Sequence, residues 1–66
     1  MKFKQYIQDC FHFSQQYPKQ RQGQVAFNIL ADIRPDISTK IQGTERDPFY
    51  DDERLLAFYD FVARNW

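Results

Sequence analysis

The chain has 66 residues, with nine Lys or Arg against nine Asp or Glu and a formal net charge of zero. Neutrality leaves no overall field to draw it to nucleic acid or an anionic membrane, and 42% hydrophobic with 27% charged residues is too apolar for a disordered charged tail. A single cysteine, Cys10, excludes an internal disulfide and fits a reducing cytoplasm.

This length predicts one domain, residues 1–66, near the lower size limit at which a single core holds a chain folded without disulfide or metal staples. Seven Phe, four Tyr and one Trp supply the core, each ring able to bury on the order of 150–250 Å². Charge is unevenly spread. Residues 1–34 hold five basic side chains (Lys2, Lys4, Lys19, Arg21, Arg34) against Asp9 and Asp32, while residues 35–66 hold four against seven acidic ones. Halves of opposite sign attract each other on folding or assembly. The first residues are broken up by Lys2, Lys4, Gln5 and Gln8, so they lack the continuous apolar stretch of a signal peptide, and no window approaches membrane-spanning length.

In chain order, Phe3, Tyr6, Ile7, Cys10, Phe11 and Phe13 recur at spacings of three and four, which predicts an amphipathic helix over about 2–17. Pro18 stops it, because the residue before a proline is pushed out of the α region. A polar connection leads to a second helix over 22–33, with Gly23 blurring its start. Val25, Ile29 and Ile33 lie on one line, and Ala26, Phe27 and Leu30 widen the apolar arc, as suits the most buried helix of the domain. Arg34-Pro35 ends it. Pro35 at a first helical position then opens a short helix over 35–42, in which Ile37 and Ile41 point inward together, and Gly43 closes it in the left-handed conformation.

Gly43 to Glu53 forms a corner that combines a helix stop, a proline turn, two aromatics and an acidic helix start. Asp47-Pro48 serves either as cap plus first helical residue or as a turn, and Asp51, Asp52 and Glu53 offer a second cap at the positive end of a helix dipole. A turn at 47–50 followed by a helix over 51–65 is the preferred reading. Its inward line is Leu55, Tyr59 or Phe58, Val62 and Trp66. Four helical segments without strand alternation predict an all-α compact bundle: three main helices and one short one.

No pattern in the chain carries catalysis, a metal or a cofactor. Cys10 and His12 stand two apart on a helix and point about 200° from each other, and structural zinc needs about four ligands. The acids Glu45, Asp47, Asp51, Asp52 and Glu53 lack the spacing and central glycine of a calcium loop and read as caps. Arg34, at a helix–proline break, reaches two acceptors at once, which predicts a structural ion pair with Glu45 or Asp47. Adjacent aromatics in a turn do not both enter one core easily. Phe49 and Tyr50, with Asp51, Asp52 and Trp66, are therefore the candidate partner-binding residues, although Phe49 and Trp66 equally suit plugging the ends of the bundle.

Arg21-Gln22-Gly23-Gln24, Phe27-Asn28-Ile29-Leu30, Arg34-Pro35, Ile41-Gln42-Gly43-Thr44 and Asp47-Pro48-Phe49-Tyr50, followed by an aromatic helix, resemble small uncharacterised proteins of tailed bacteriophages and prophages. The resemblance covers residues 21–66 and carries no assigned chemistry. It implies a bacterial host cytoplasm and an accessory protein that acts by binding. The expectation is thus a non-enzymatic protein-binding module that modulates a host or phage protein, with no cofactor and no membrane, and with homo-oligomerisation open because twelve aromatics exceed what so small a bundle buries. The alternative is a small DNA-binding regulator with a helix-turn-helix-like segment around Arg34-Pro35. Its reading helix would offer only Ser38, Thr39, Lys40 and Gln42 to base edges, and Lys19, Arg21 and Arg34 are few against the roughly six to ten phosphate contacts of a salt-sensitive binder.

Overall fold

A computed structural model describes all of residues 1–66. The first helix, α1, runs Phe3–Gln16. Lys2 is extended, so the helix starts one residue later than the apolar spacing predicts. Tyr17, at φ −124°, is turned out by Pro18, although its N–H still donates to Phe13 O at 2.9 Å. The second helix, α2, runs Gln22–Ile33 and buries Gly23, Val25, Ala26, Phe27 and Leu30, the broad arc expected of a central helix. Arg34 alone joins it to α3, Pro35–Ile41. Its N–H donates back to Leu30 O at 2.7 Å, and its carbonyl accepts from Ile37 and Ser38 at 3.0 and 3.1 Å. One residue thereby closes one helix and opens the next, and Pro35 at the first position costs nothing because its N–H has no partner there.

Gly43 stands at φ 77°, the left-handed turn that ends α3, and the corner follows without regular structure. The expected continuous helix over 51–65 is divided. Asp51 caps it through Oδ1, which accepts from Glu53 N–H at 3.0 Å, but Asp52–Arg54 form a 3₁₀ turn before α4, Leu55–Asn65. Tightened first turns are common at helix starts. Here the tightening accompanies a contact that local sequence does not reveal: Asp52 Oδ1 accepts from Gly23 N–H at 2.9 Å, 29 residues away.

The core draws on all four helices: Tyr6 and Cys10 from α1, Ala26, Phe27 and Leu30 from α2, Ile37 and Ile41 from α3, Phe58 and Val62 from α4. Of the inward line expected for α4, Phe58 and Val62 are fully buried, while Leu55, Tyr59 and Trp66 pack at the margin. Tyr6 is the largest buried side chain, and its hydroxyl donates to Ala26 O at 2.7 Å, so the ring is buried with its polar tip satisfied. No buried side-chain N or O lacks a partner. The order is all-α, with α2 packed between α1, α3 and the 3₁₀ turn. No helix is long and apolar enough to cross a membrane.

Gly23 is a site of close approach. A Cβ there would fall 2.1 Å from Pro48 O and 2.8 Å from Asp52 Oδ1, so a side chain would force the corner off the helix. Alanine helps a helix by about 1 kcal/mol relative to glycine, whereas overpacking costs about 1–3 kcal/mol or more; the backbone obstacle decides the sign. Gly23→Ala is expected to destabilise the fold in urea titrations by more than Asp52→Ala, whose lost cap costs about 0.5–2 kcal/mol. A Gly23→Ala chain as stable as wild type would refute the close approach.

Candidate functional site

The corner is held from both sides by one carboxylate. Asp47 Oδ2 accepts from Gly43 N–H at 2.9 Å and Oδ1 from Phe49 N–H at 3.0 Å, a local side-chain turn that Pro48 rigidifies. Pro48 is fully buried and its carbonyl accepts from Asp51 N–H at 3.2 Å, closing the turn. Thr44 strengthens the start of the loop: its hydroxyl donates to Ile41 O at 2.6 Å and accepts from Arg46 N–H at 3.2 Å. The whole loop is bolted to α2. Arg21 Nη2 donates to Phe49 O, Gly23 N–H to Asp52, and the Phe49 ring meets Phe27 edge to face at 6.0 Å.

This geometry divides the expected contact residues. Phe49 is half-buried against Phe27, and Asp52 is committed to the start of α2. Asp51 caps the 3₁₀ turn and faces Arg54 at 3.6 Å. Tyr50 is different. It is 81% exposed, and its ring leans edge-on against Phe49 at 4.8 Å. Exposed carboxylates of Glu45 and Glu53 lie in the same stretch, which over residues 43–54 has five acids against Arg46 and Arg54.

Trp66 is packed against Phe3, Tyr6 and Arg34. Its ring stacks on Tyr6 at 5.4 Å, meets Phe3 edge-on at 5.7 Å, and its Nε1–H donates to Met1 O at 2.9 Å. It closes the end of the bundle, one of its two expected roles. The expected ion pair of Arg34 with Glu45 or Asp47 is corrected. Arg34 grips Asp36 with both arms, Nε to Oδ1 at 3.1 Å and Nη2 to Oδ2 at 3.0 Å, while Nη1 donates to Trp66 O at 2.8 Å and the guanidinium sits 5.1 Å from the Trp66 ring centre. Asp36 lies just across Pro35, so the fork closes locally; Asp47 is already spent on two backbone N–H groups, and Glu45 is exposed. These hydrogen bonds hold the Asp36 carboxyl below its usual range and raise the Arg34 guanidinium.

The short α3 shows solvent Asp36, Thr39 and Lys40; the hydroxyls of Ser38 and Thr39 are both turned onto Pro35 O, at 3.2 and 2.7 Å. Burial pushes the Cys10 thiol up to about 11, an effect that the neighbouring phenols of Tyr6 and Tyr59 partly offset, so it is not a thiolate at neutral pH. Burial likewise raises the Tyr6 and Tyr59 phenols, with Cys10 adding to both. No group of three or more His, Cys, Asp or Glu side chains is gathered to hold a metal ion.

Two features were not anticipated from the residues. Arg21 and Gly23 are corner-binding residues, and only a glycine inside a helical stretch hinted at it. Between α1 and α4 there is also an open apolar groove of about 590 Å³, flanked by Phe11 and Leu56. Its signal was present in the position of those two side chains, each about 100° around its helix from the core line. No protein-family model, curated protein or solved structure matches the chain.

Two measurements check these assignments. Arg34→Ala releases both Asp36 and Trp66, so it is expected to lower the thermal midpoint and red-shift the emission of the sole tryptophan, whereas Asp36→Ala leaves the emission nearer wild type. Unchanged emission in Arg34→Ala would break the assignment. The raised Cys10, Tyr6 and Tyr59 values mean that the fold favours their protonated forms. Stability is then fully present below the unfolded thiol value of 9.0 and falls as pH rises through about 11. Helical signal should hold from neutral pH to about 9 and then decline, with the last phenolate absorbance growing in together with unfolding. Complete tyrosine ionisation in a still-helical protein would contradict this.

Proposed function

We propose that this chain is a non-enzymatic protein-binding module that presents Tyr50, within an acidic setting, to a basic surface of a partner protein. One observation carries the reading: a large aromatic stands 81% exposed on a turn whose flanking backbone groups are hydrogen-bonded, Phe49 to Asp47 and Arg21 and Asp51 to Pro48. Tyrosine is enriched among the residues that dominate binding energy, and a rigid mount lowers the ordering cost of docking it. The neighbouring carboxylates of Glu45, Asp51 and Glu53 favour a cationic rim on the partner and disfavour the phosphate backbone of nucleic acid. Phe49 acts here as the support that orients Tyr50, and Asp52 as the tie to α2. The resemblance to phage proteins sets the context as a bacterial cytoplasm, with an accessory protein that modulates a host or phage protein.

The test is affinity capture from a bacterial lysate with wild type and Tyr50→Ala as parallel baits, followed by mass spectrometry and titration of the captured protein. Tyr50 is exposed, so its loss leaves the fold intact. A central tyrosine contributes about 2 kcal/mol, so the variant is expected to bind roughly 30-fold more weakly. Equal capture by the two baits would sink the proposal.

A further inference from the structure

The apolar stripe of α1 is wider than the protein itself covers. Phe3, Ile7, Cys10 and Ser14 follow one another by four, three and four residues, the spacing of a helix-pairing seam. Beside it Phe11, one residue on from the buried Cys10, remains 66% exposed. The same holds on α4, where Leu56, Tyr59 and Ala63 are spaced by three and four, and Leu56 is 84% exposed. Both seams open onto the same groove of about 590 Å³. Tyr6 of α1 meets Tyr59 of α4 at 6.5 Å and Trp66, just past the end of α4, at 5.4 Å, while Phe11 and Leu56 stay exposed.

We infer that the α1–α4 face is a self-association surface, and that its occupant is a second copy of this chain related by a two-fold axis. Three observations select that occupant. The exposed apolar surface includes the groove floor and the tops of both walls, so it is two helices wide; a single guest helix, about 10 Å across, covers the floor and leaves the walls wet. The patch is also self-complementary. It carries bulky knobs, Phe11 and Leu56, together with positions that leave room for them, Ser14, Cys10 and Ala63, and an interface made by two identical patches requires both on one surface.

Finally, the area suffices. Helices of 14 and 11 residues side by side offer a face on the order of 600–800 Å², close to the roughly 800 Å² per partner of a standard stable interface. An axis parallel to the helices sets the α1 wall of one copy, topped by Phe11, against the α4 wall of the other, topped by Leu56. The product is a four-helix layer with two seams on each side. Tyr50 belongs to the corner and not to this groove, so the dimer would present two copies of it.

Sedimentation equilibrium of the full chain from low micromolar to submillimolar concentration tests this. The mass is expected to rise from 8.0 kDa towards twice that value. Leu56→Glu and Phe11→Glu, both at exposed side chains, are each expected to weaken self-association at least tenfold while retaining the helical circular dichroism of wild type. Tyr50→Ala should dimerise like wild type. A wild-type mass that stays at 8.0 kDa throughout overturns the inference. So does self-association of the two glutamate variants at wild-type strength.

Discussion

The fold depends on one tight contact, the seating of the corner on the first turn of α2. A helix start leaves several N–H groups without partners, and α2 brings no side chain of its own to satisfy them: Arg21 caps nothing, and no acid lies in the first turn. The carboxylate of Asp52 is supplied from 29 residues away and lies where the helix dipole favours negative charge. It reaches Gly23 only because Pro48 can lie directly over that residue, in space a Cβ would fill. The absence of a side chain at Gly23, the buried ring of Pro48 and the 3₁₀ start before α4 are parts of one arrangement. Each accounts for a feature that is locally costly: a glycine inside a helix, a proline among buried groups, and a helix that begins in the tighter form.

Much of this architecture was legible in the residues where the cause is local. Pro18, Pro35 and Gly43 act on their immediate neighbours through steric exclusion and left-handed backbone, so the helix ends fall within a residue of the positions they imply. The apolar arc of α2 likewise marked it as the central helix. What local reading missed was the choice among competing partners. Arg34 pairs with Asp36, presented at once across the proline, and Asp47 is engaged instead by Gly43 and Phe49. Such competition is settled by three-dimensional placement and by which acceptors remain unsatisfied, and neither is a property of spacing along the chain. Of the candidate contact residues, the sequence pattern located the corner but could not divide it. Phe49 and Tyr50 are adjacent and chemically alike, and only the position of Phe27 decides which of them is held.

The two exposed apolar regions differ in how they are supported. Tyr50 sits on a turn whose flanking residues are tied, Phe49 to Asp47 and Arg21 and Asp51 to Pro48. The α1–α4 face has no comparable bracing. Its two walls come from opposite ends of the chain and are joined by ring contacts and by Trp66, which donates to Met1 O and accepts from Arg34. Segments held by few tertiary ties open at lower free energy than the rest of a fold. A second copy that covers both walls would add ties between them and stabilise the folded state by mass action. Tyr50 lies outside that pairing. The physical division is between an exposed aromatic on a hydrogen-bonded turn and an exposed apolar face whose two walls meet through a few ring contacts.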